Sequence, residues 1–548
     1  MTHERLDPSV QSWGARVRRF LGRATLAVFP FLVLVYTGLI GIDFGQHWDE
    51  HLQCRLLART TKSGVLLPGI YNYPTMSYWL AFSAFAPRLI REWRPVPDLL
   101  QDLNTNRSLE QDTSELQKYA LEDHGLFLRI RAVFLVVSSF AVIWIFLLVL
   151  LWRRSTAEAF LAAALLGLSW EFAYHARWIA PDLLMTSFTS LTMMLIVGGL
   201  QERRRWWLFA AAVGAGMATA SKYQCGLLLL PLIMATVKTR DRAAGGRGLV
   251  RRLAGLMALF IVTFLLITPG AYLDTGRFIR WFIYVLSVYK HGGLAGYDIA
   301  SGWPHLWKML IYLGSDYFSP YRPFALGVSV FVLLGIAALW RESRFLACMF
   351  LCFPVLYLPY MSTQRVLIVR NTLVMAPFLA VAAARGVAFS FVWIRQRYLR
   401  AAIAIGFAAG LVANSLWLYQ GGMSIRRSSP QSIVKDLARY IDGRPPRTVF
   451  ATIGVRWGLE QLHFDLSKLA RRPEDAENLA FYPDDWEGFS TRPANLSHLA
   501  STWFGPFEVN WNYYINWPGF QRIVIVSKEN AAAVRLRINA NAIPPPSP

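Results

Sequence analysis

The sequence predicts a polytopic α-helical membrane protein with about eleven spans, helices lying along the membrane in its first outer loop, and a small C-terminal α/β domain. Three observations predict it. Hydrophobic residues make up 55% of the 548 positions and mean hydropathy is +0.34. That is too apolar for one soluble domain. Only 16% of residues are charged, yet the net charge is +22, and the Lys and Arg fall between apolar runs. That placement marks cytoplasmic loops and sets nucleic-acid binding aside. Finally, long apolar runs recur to about residue 420, after which the composition changes.

A span needs about 20 mostly apolar residues. Runs that meet or approach this lie near 22–42, 130–151, 157–175, 180–200, 206–221, 223–238, 251–269, 323–340, 345–361, 370–386 and 400–419. The first follows Arg16-Val17-Arg18-Arg19 and reads as an uncleaved span. The pair across 206–238 is short and interrupted by Ser221-Lys222. Arg153-Arg154, Arg203 to Arg205, Lys238 to Arg252, Arg341 with Arg344, and Arg385 to Arg400 then share one side with the N-terminal arginines. That side is the cytoplasm by the positive-inside rule. The odd span count places 43–128, 270–322 and everything after Leu418 outside.

The first outer loop, Asp43 to Leu128, has a polar, acidic middle from Gln101 to Asp123. His47 to Thr61 and Thr75 to Ile90 read as helices too short to span and suited to the membrane surface. The second, Ala271 to Pro323, carries Trp281, Trp303 and Trp307 with many Tyr, an interfacial composition. Beyond Tyr419, Gln431 to Tyr440 reads as an amphipathic helix, and Arg447 to Ile453 and Gln521 to Ser527 as strands. The division is therefore 1–420, in the membrane, and 424–548, a domain outside it. Of the four cysteines, Cys225, Cys348 and Cys352 fall in spans and Cys54 in a loop. They read as small buried hydrophobes, not a metal set.

Gly45-Gln46-His47-Trp48-Asp49-Glu50-His51 follows directly on the first span. Ionisable groups at membrane depth are costly to keep and are functional candidates. Asp49 and Glu50, as neighbours, cannot both point into one site. One faces a cavity while the other caps a helix or meets a cation, unless the two are simply a capping pair. His47 and His51 flank them at i,i+4 spacing but do not form His-Glu-x-x-His, so no metal or other cofactor is expected. The second constellation, Tyr174-His175-Ala176-Arg177-Trp178-Ile179-Ala180-Pro181-Asp182, joins two spans on the same outer side. Pro181 then Asp182 suits a helix N-terminus, and a charged Asp there needs a partner, for which Arg177 and His175 are at hand. The competing reading is an ion pair that only fixes helix ends.

Lys222, Lys290-His291-Gly292-Gly293, Arg365 and Arg370 also face outward. One alone would be a headgroup anchor. Several beside two carboxylates suggest an anionic group bound near the membrane, such as a phosphate. No Walker A loop, nucleophile elbow or dinucleotide-binding glycine pattern occurs, so a nucleotide donor is not expected.

In their order along the chain, these residues resemble the membrane glycosyltransferases of the C-type fold (GT-C), especially bacterial relatives of protein O-mannosyltransferases and lipid A aminoarabinose transferases. The family's Asp-Glu pair after the first span is matched by Asp49-Glu50, and its Tyr-Pro stretch leading to Tyr-Trp by Tyr71-Asn72-Tyr73-Pro74 and Tyr78-Trp79. The Arg opening its second span is matched by Arg129 or Arg131, the turn before its fourth span by His175 to Asp182, a later hairpin by Gly216 to Lys222, and an Arg-to-Pro entry to a late span by Arg370 and Pro377. The match covers roughly 20–390 and departs at Tyr73, where many relatives carry Lys, and at Thr75 in place of a second Pro.

The resemblance implies an enzyme of a bacterial inner membrane that moves a sugar from a polyprenyl-phosphate donor to a hydroxyl of a glycan, lipid or protein acceptor on the outer face. It implies Asp49 as base, Glu50 as its support and Asp182 as an assistant. Arg177, Lys222, His291, Arg365 and Arg370 are candidate phosphate ligands, and His47, His175, Tyr71 and Tyr73 candidate acceptor or sugar contacts. Two other classes compete: a transporter or flippase of lipid-linked sugars, whose charges would sit near the bilayer midplane, and a scaffold displaying the C-terminal domain, which leaves the buried carboxylates unexplained.

Overall fold

The computed structural model describes residues 22–43, 50, 52–53, 56–57, 60, 65–92, 124–240, 245–292, 298–427, 430–462, 464–481, 497–499 and 523–527. Among them, eight helices are long and apolar enough to cross a membrane: Gly22–Ile40, Gly125–Arg153, Pro181–Glu202, Gly246–Ile267, Arg322–Glu342, Arg344–Ser362, Val369–Trp393 and Arg397–Met423. The three other apolar runs are helical but shorter. Thr156–Gly167 stops before the separate turn-and-a-half Trp170–His175, and Ser169 bends its hydroxyl back to the Leu166 carbonyl at 3.0 Å. Arg205–Ser221 has 17 residues, and a 3-10 stretch, Tyr223–Leu228, leads into Leu229–Lys238. The interruption at Lys222 brings a buried ammonium into the protein.

Pro181–Glu202 is the central helix, with 89% of its most apolar stretch buried against 11% for the peripheral Gly246–Ile267. It packs on His124–Arg153 and Arg205–Ser221. A second pair, Arg322–Glu342 with Ala376–Trp393, meets backbone to backbone. A Cβ on Gly335 would stand 1.7 Å from the Ala382 carbonyl oxygen, and one on Gly386 would stand 1.9 Å from that of Phe331. Only glycine permits such an approach. At the basic ends of these helices, Arg153 meets Glu342 at 2.5 Å and Glu158 at 3.7 Å, while Arg385 reaches Glu158 at 3.7 Å and also Glu342.

In the first outer loop, the described residues Glu50, Gln53, Leu56, Leu57 and Thr60 are helical and buried, an i,i+3,i+4 stripe turned inward. The helix expected over Thr75 to Ile90 runs Met76–Glu92. Its start is stapled to the end of another helix. Thr75 Oγ1 and Trp79 Nε1, the latter at 2.7 Å, both donate to the Ile267 carbonyl, an acceptor that the helix terminus would leave unpaired. The second outer loop holds two helices that the sequence reading did not resolve, Thr275–His291 and Trp303–Ser315. Ile279, Ile283, Tyr284 and Leu286 of the first, and Trp303 and Trp307 of the second, are exposed.

Beyond Arg397–Arg427 come the helix Pro430–Asp442 and a four-stranded sheet: β1 Val449–Ala451, β2 Asn478–Phe481, β3 Ser497–Leu499 and β4 Ile523–Ser527, in the order β1-β2-β4-β3. The β1–β2 pair is parallel and the other two pairs are antiparallel. Val434, Leu437 and Ile441 of the helix share a core with Val449, Ala451, Ile523 and Ile525. The first strand is shorter than expected at both ends, because Arg447 adopts a left-handed φ of 66° before it and the helix Ile453–Gln461 begins just after it. Cys225 is buried, but Cys348 faces outward, contrary to the expectation for all span cysteines.

Candidate functional site

Three breaks in the helical pattern bring charge to one place. Ala180 is extended and Pro181 starts the central helix, which puts Asp182 in its first turn. Lys222 is extended just after Arg205–Ser221. Arg370 and Asn371 lie in the 3-10 stretch Val369–Met375 ahead of the Ala376–Trp393 helix. Lys222 Nζ donates to Asp182 Oδ1 at 2.6 Å and to Asn371 Oδ1 at 2.5 Å. Arg370 Nε lies 3.5 Å from Asp182 Oδ2. The Lys222 ammonium also stands 5.9 Å from the Tyr73 ring centre, within cation–π range. Asp182, Lys222, Arg370 and Asn371 are all buried. A buried charge survives only when paired, and here the partners come from three separate parts of the chain.

Glu50 forms a second centre beside the first. Arg131 Nε and Nη2 donate to its two carboxylate oxygens at 3.0 and 2.6 Å, with both side chains fully enclosed. The Ile179 amide donates to Glu50 Oε1 at 3.0 Å, and Arg131 Nη1 donates to the Ile42 carbonyl at 2.8 Å. This bidentate pair locks the end of the first span, the start of the second and the turn that carries Asp182. Of the two arginines that could open the second span, Arg131 is the one engaged here. Arg129 turns back to its own helix, at the Gly125 carbonyl.

Arg177 and His175, the partners expected for Asp182, make other contacts. Arg177 Nη1 donates to the Gly41 carbonyl at 2.7 Å and Nε to that of Tyr174 at 3.3 Å. Burial lowers its pKa to about 10, so it remains a cation at neutral pH. His175 Nδ1 lies 3.2 Å from the Glu171 carboxylate and 2.8 Å from the Glu171 carbonyl. Lys222 and Arg370 take the place they were expected to fill, because both enter from helices that pack directly on the central one, a proximity that sequence distance hides.

Tyr71 is fully buried, and its hydroxyl donates to Asp274 Oδ2 at 3.3 Å. Burial, and then the Asp274 charge, push it well above the usual phenol range, so it stays a donor. Tyr223 OH donates to the Tyr71 carbonyl at 3.0 Å. The Tyr71-Asn72-Tyr73-Pro74 stretch is thus tied to the start of the second outer loop by Tyr71 and faces Lys222 through Tyr73. His291 and Arg365 are exposed and stand apart from the Asp182 group: His291 Nδ1 bonds Ser287 on its own helix, and the Arg365 backbone links Tyr289 to Ile299. His47 and Asp49 lie outside the described residues. Among the described residues, no group of three His, Cys, Asp or Glu side chains could hold a metal ion.

Sequence reasoning missed Asn371, which carries no charge to draw attention. It also missed Glu171 and Glu158, both buried within apolar runs. The rule that singled out Asp49 would have found these two. Together, the site sets an ammonium and a guanidinium at helix ends, an arrangement suited to an anionic oxygen.

Residues 126–268 match the model of the dolichyl-phosphate-mannose-protein mannosyltransferase family. The resemblance to membrane glycosyltransferases therefore holds over the segment that carries Arg131, His175, Arg177, Asp182 and Lys222. The chain is also similar to ArnT from Cupriavidus metallidurans in the apo state, at 14% identity and a TM-score of 0.48 over 91% of this chain and 97% of that one. Against ArnT from Cupriavidus metallidurans bound to undecaprenyl phosphate, the identity is 14% and the TM-score 0.43, over 94% and 98%. No curated protein matches the chain.

Proposed function

We propose that this chain is an integral membrane glycosyltransferase that moves a sugar from a polyprenyl-phosphate donor to an acceptor hydroxyl on the outer face of a bacterial inner membrane. The observation that carries it is the buried meeting of Lys222 and Arg370 on Asp182, in a turn that the Glu50–Arg131 clamp holds through the Ile179 amide. A lipid-linked phosphate leaving group needs cations where its charge develops. The acceptor oxygen attacks the anomeric carbon, the bond from that carbon to the phosphate oxygen breaks, and the lipid phosphate leaves with the electron pair. The acceptor proton passes to a carboxylate, for which we assign Asp49.

Glu50 supports this base from the next position, since both its oxygens are already engaged. Asp182 assists by holding the two cations. Arg177, engaged with the carbonyls of Gly41 and Tyr174, serves the fold. His291 and Arg365, exposed on the outer side, are the candidates for a first encounter with the headgroup. The acceptor would approach from the side of Tyr73, with 424–548 outside the membrane.

Binding of a polyprenyl phosphate tests the cation assignment. Lys222→Ala or Arg370→Ala should weaken binding about ten-fold or more, as expected for a lost charge-assisted hydrogen bond, whereas Arg280→Ala, on the exposed outer helix, should not. Wild-type affinity in both site variants would remove the phosphate from this place.

A further inference from the structure

Asn371 has no assigned role, yet it joins the buried charges to the outer loop. Its orientation is fixed by chemistry. Lys222 has three donors and no acceptor, so the atom facing it at 2.5 Å must be Oδ1. The amide nitrogen, Nδ2, therefore faces the Tyr289 hydroxyl, 3.2 Å away, and donates to it. The Tyr357 hydroxyl fixes the Asn371 backbone by donating to its carbonyl at 2.7 Å. Tyr289 is held from the other end as well, with its carbonyl accepting the Arg365 amide at 2.8 Å.

A chain of oriented bonds follows, from Asp182 through the Lys222 ammonium and the Asn371 amide to the Tyr289 oxygen. Tyr289 already accepts from Asn371, so its own proton is free to be given away. The residue is half-buried on Thr275–His291. We propose that the Tyr289 hydroxyl donates a hydrogen bond to a phosphate oxygen of the lipid-linked donor, and that Asn371 is the positioning residue that keeps the hydroxyl pointing outward. This rests on the lipid-phosphate reading above.

An aspartate at 371 can still accept from Lys222, but it cannot donate to Tyr289. The phenol would turn inward and donate to the new carboxylate, and its outward proton would be lost. The experiment measures binding of undecaprenyl phosphate and of neutral undecaprenol to wild type, Tyr289→Phe, Asn371→Asp and the double variant. Tyr289→Phe should weaken undecaprenyl phosphate binding about ten-fold and leave undecaprenol unchanged. In the Asn371→Asp background, the same tyrosine change should cost less than about two-fold, because the hydrogen bond is already gone. The charge added at 371 is present with either residue at 289, so the comparison isolates the hydroxyl. Tyr289→Phe should fold but melt somewhat below the wild type, because the buried Asn371 amide nitrogen loses its acceptor.

Three results would overturn the proposal alone: wild-type phosphate affinity in Tyr289→Phe, equal weakening toward undecaprenol, or independent, multiplying losses in the double variant. If wild type itself fails to bind undecaprenyl phosphate, the function proposed above falls as well.

Discussion

Asp49→Asn should lower sugar transfer by about 10²-fold or more, while the protein still inserts, folds and binds lipid phosphate. An amide keeps the shape of the carboxylate but cannot take the acceptor proton. Glu50 cannot stand in for it, since Oε1 accepts from Arg131 and the Ile179 amide, and Oε2 from Arg131. The carboxylate is also fully enclosed with Arg131, out of reach of a substrate hydroxyl. Turnover per folded molecule, with lipid-phosphate binding as the control, is the measurement. Near-normal turnover by Asp49→Asn removes Asp49 from the role of base.

Glu50→Ala should act through the fold instead. It leaves the Arg131 guanidinium buried without its carboxylate, and breaking such a pair typically costs about 3–5 kcal/mol. The variant should melt well below wild type in detergent and lose activity with its structure. Arg131→Met combined with Glu50→Leu should recover part of the stability, because no orphaned charge remains, although the Arg131 bond to the Ile42 carbonyl is still lost. A Glu50→Ala protein that melts with wild type would contradict the clamp. The pair of results separates the two adjacent carboxylates: one variant folds without turnover, the other fails to fold.

Most of the helical architecture was legible because its signals are local. Apolar runs, basic loops and the switch at Tyr419 each declare themselves within about 20 residues. The helix Met76–Glu92 and strand β4 fall almost where the periodicity places them. Span length was less legible. Composition alone joins 157–175, but Ser169 spends its hydroxyl on the Leu166 carbonyl and the helix breaks. The candidate site was legible as residue types, not as pairs. Asp182 advertised its need for a cation, and the nearest in sequence, Arg177, was the natural choice. Its contacts come from Lys222 and Arg370, 40 and 188 positions further on, because helix packing rather than sequence distance decides the pairing. Asn371 and Tyr289 gave no signal, since a neutral amide and one tyrosine among 22 stand out only once their hydrogen bonds are seen.

The measurement that bears most directly on the central claim is single-turnover transfer by purified protein in lipid vesicles, with the sugar supplied either on polyprenyl phosphate or on a soluble nucleotide. A membrane site built on Lys222, Arg370 and Asp182 predicts transfer from the lipid donor, release of polyprenyl phosphate and no use of the nucleotide sugar. Transfer from the nucleotide sugar alone, or movement of the lipid-linked sugar across the bilayer without cleavage, would contradict it.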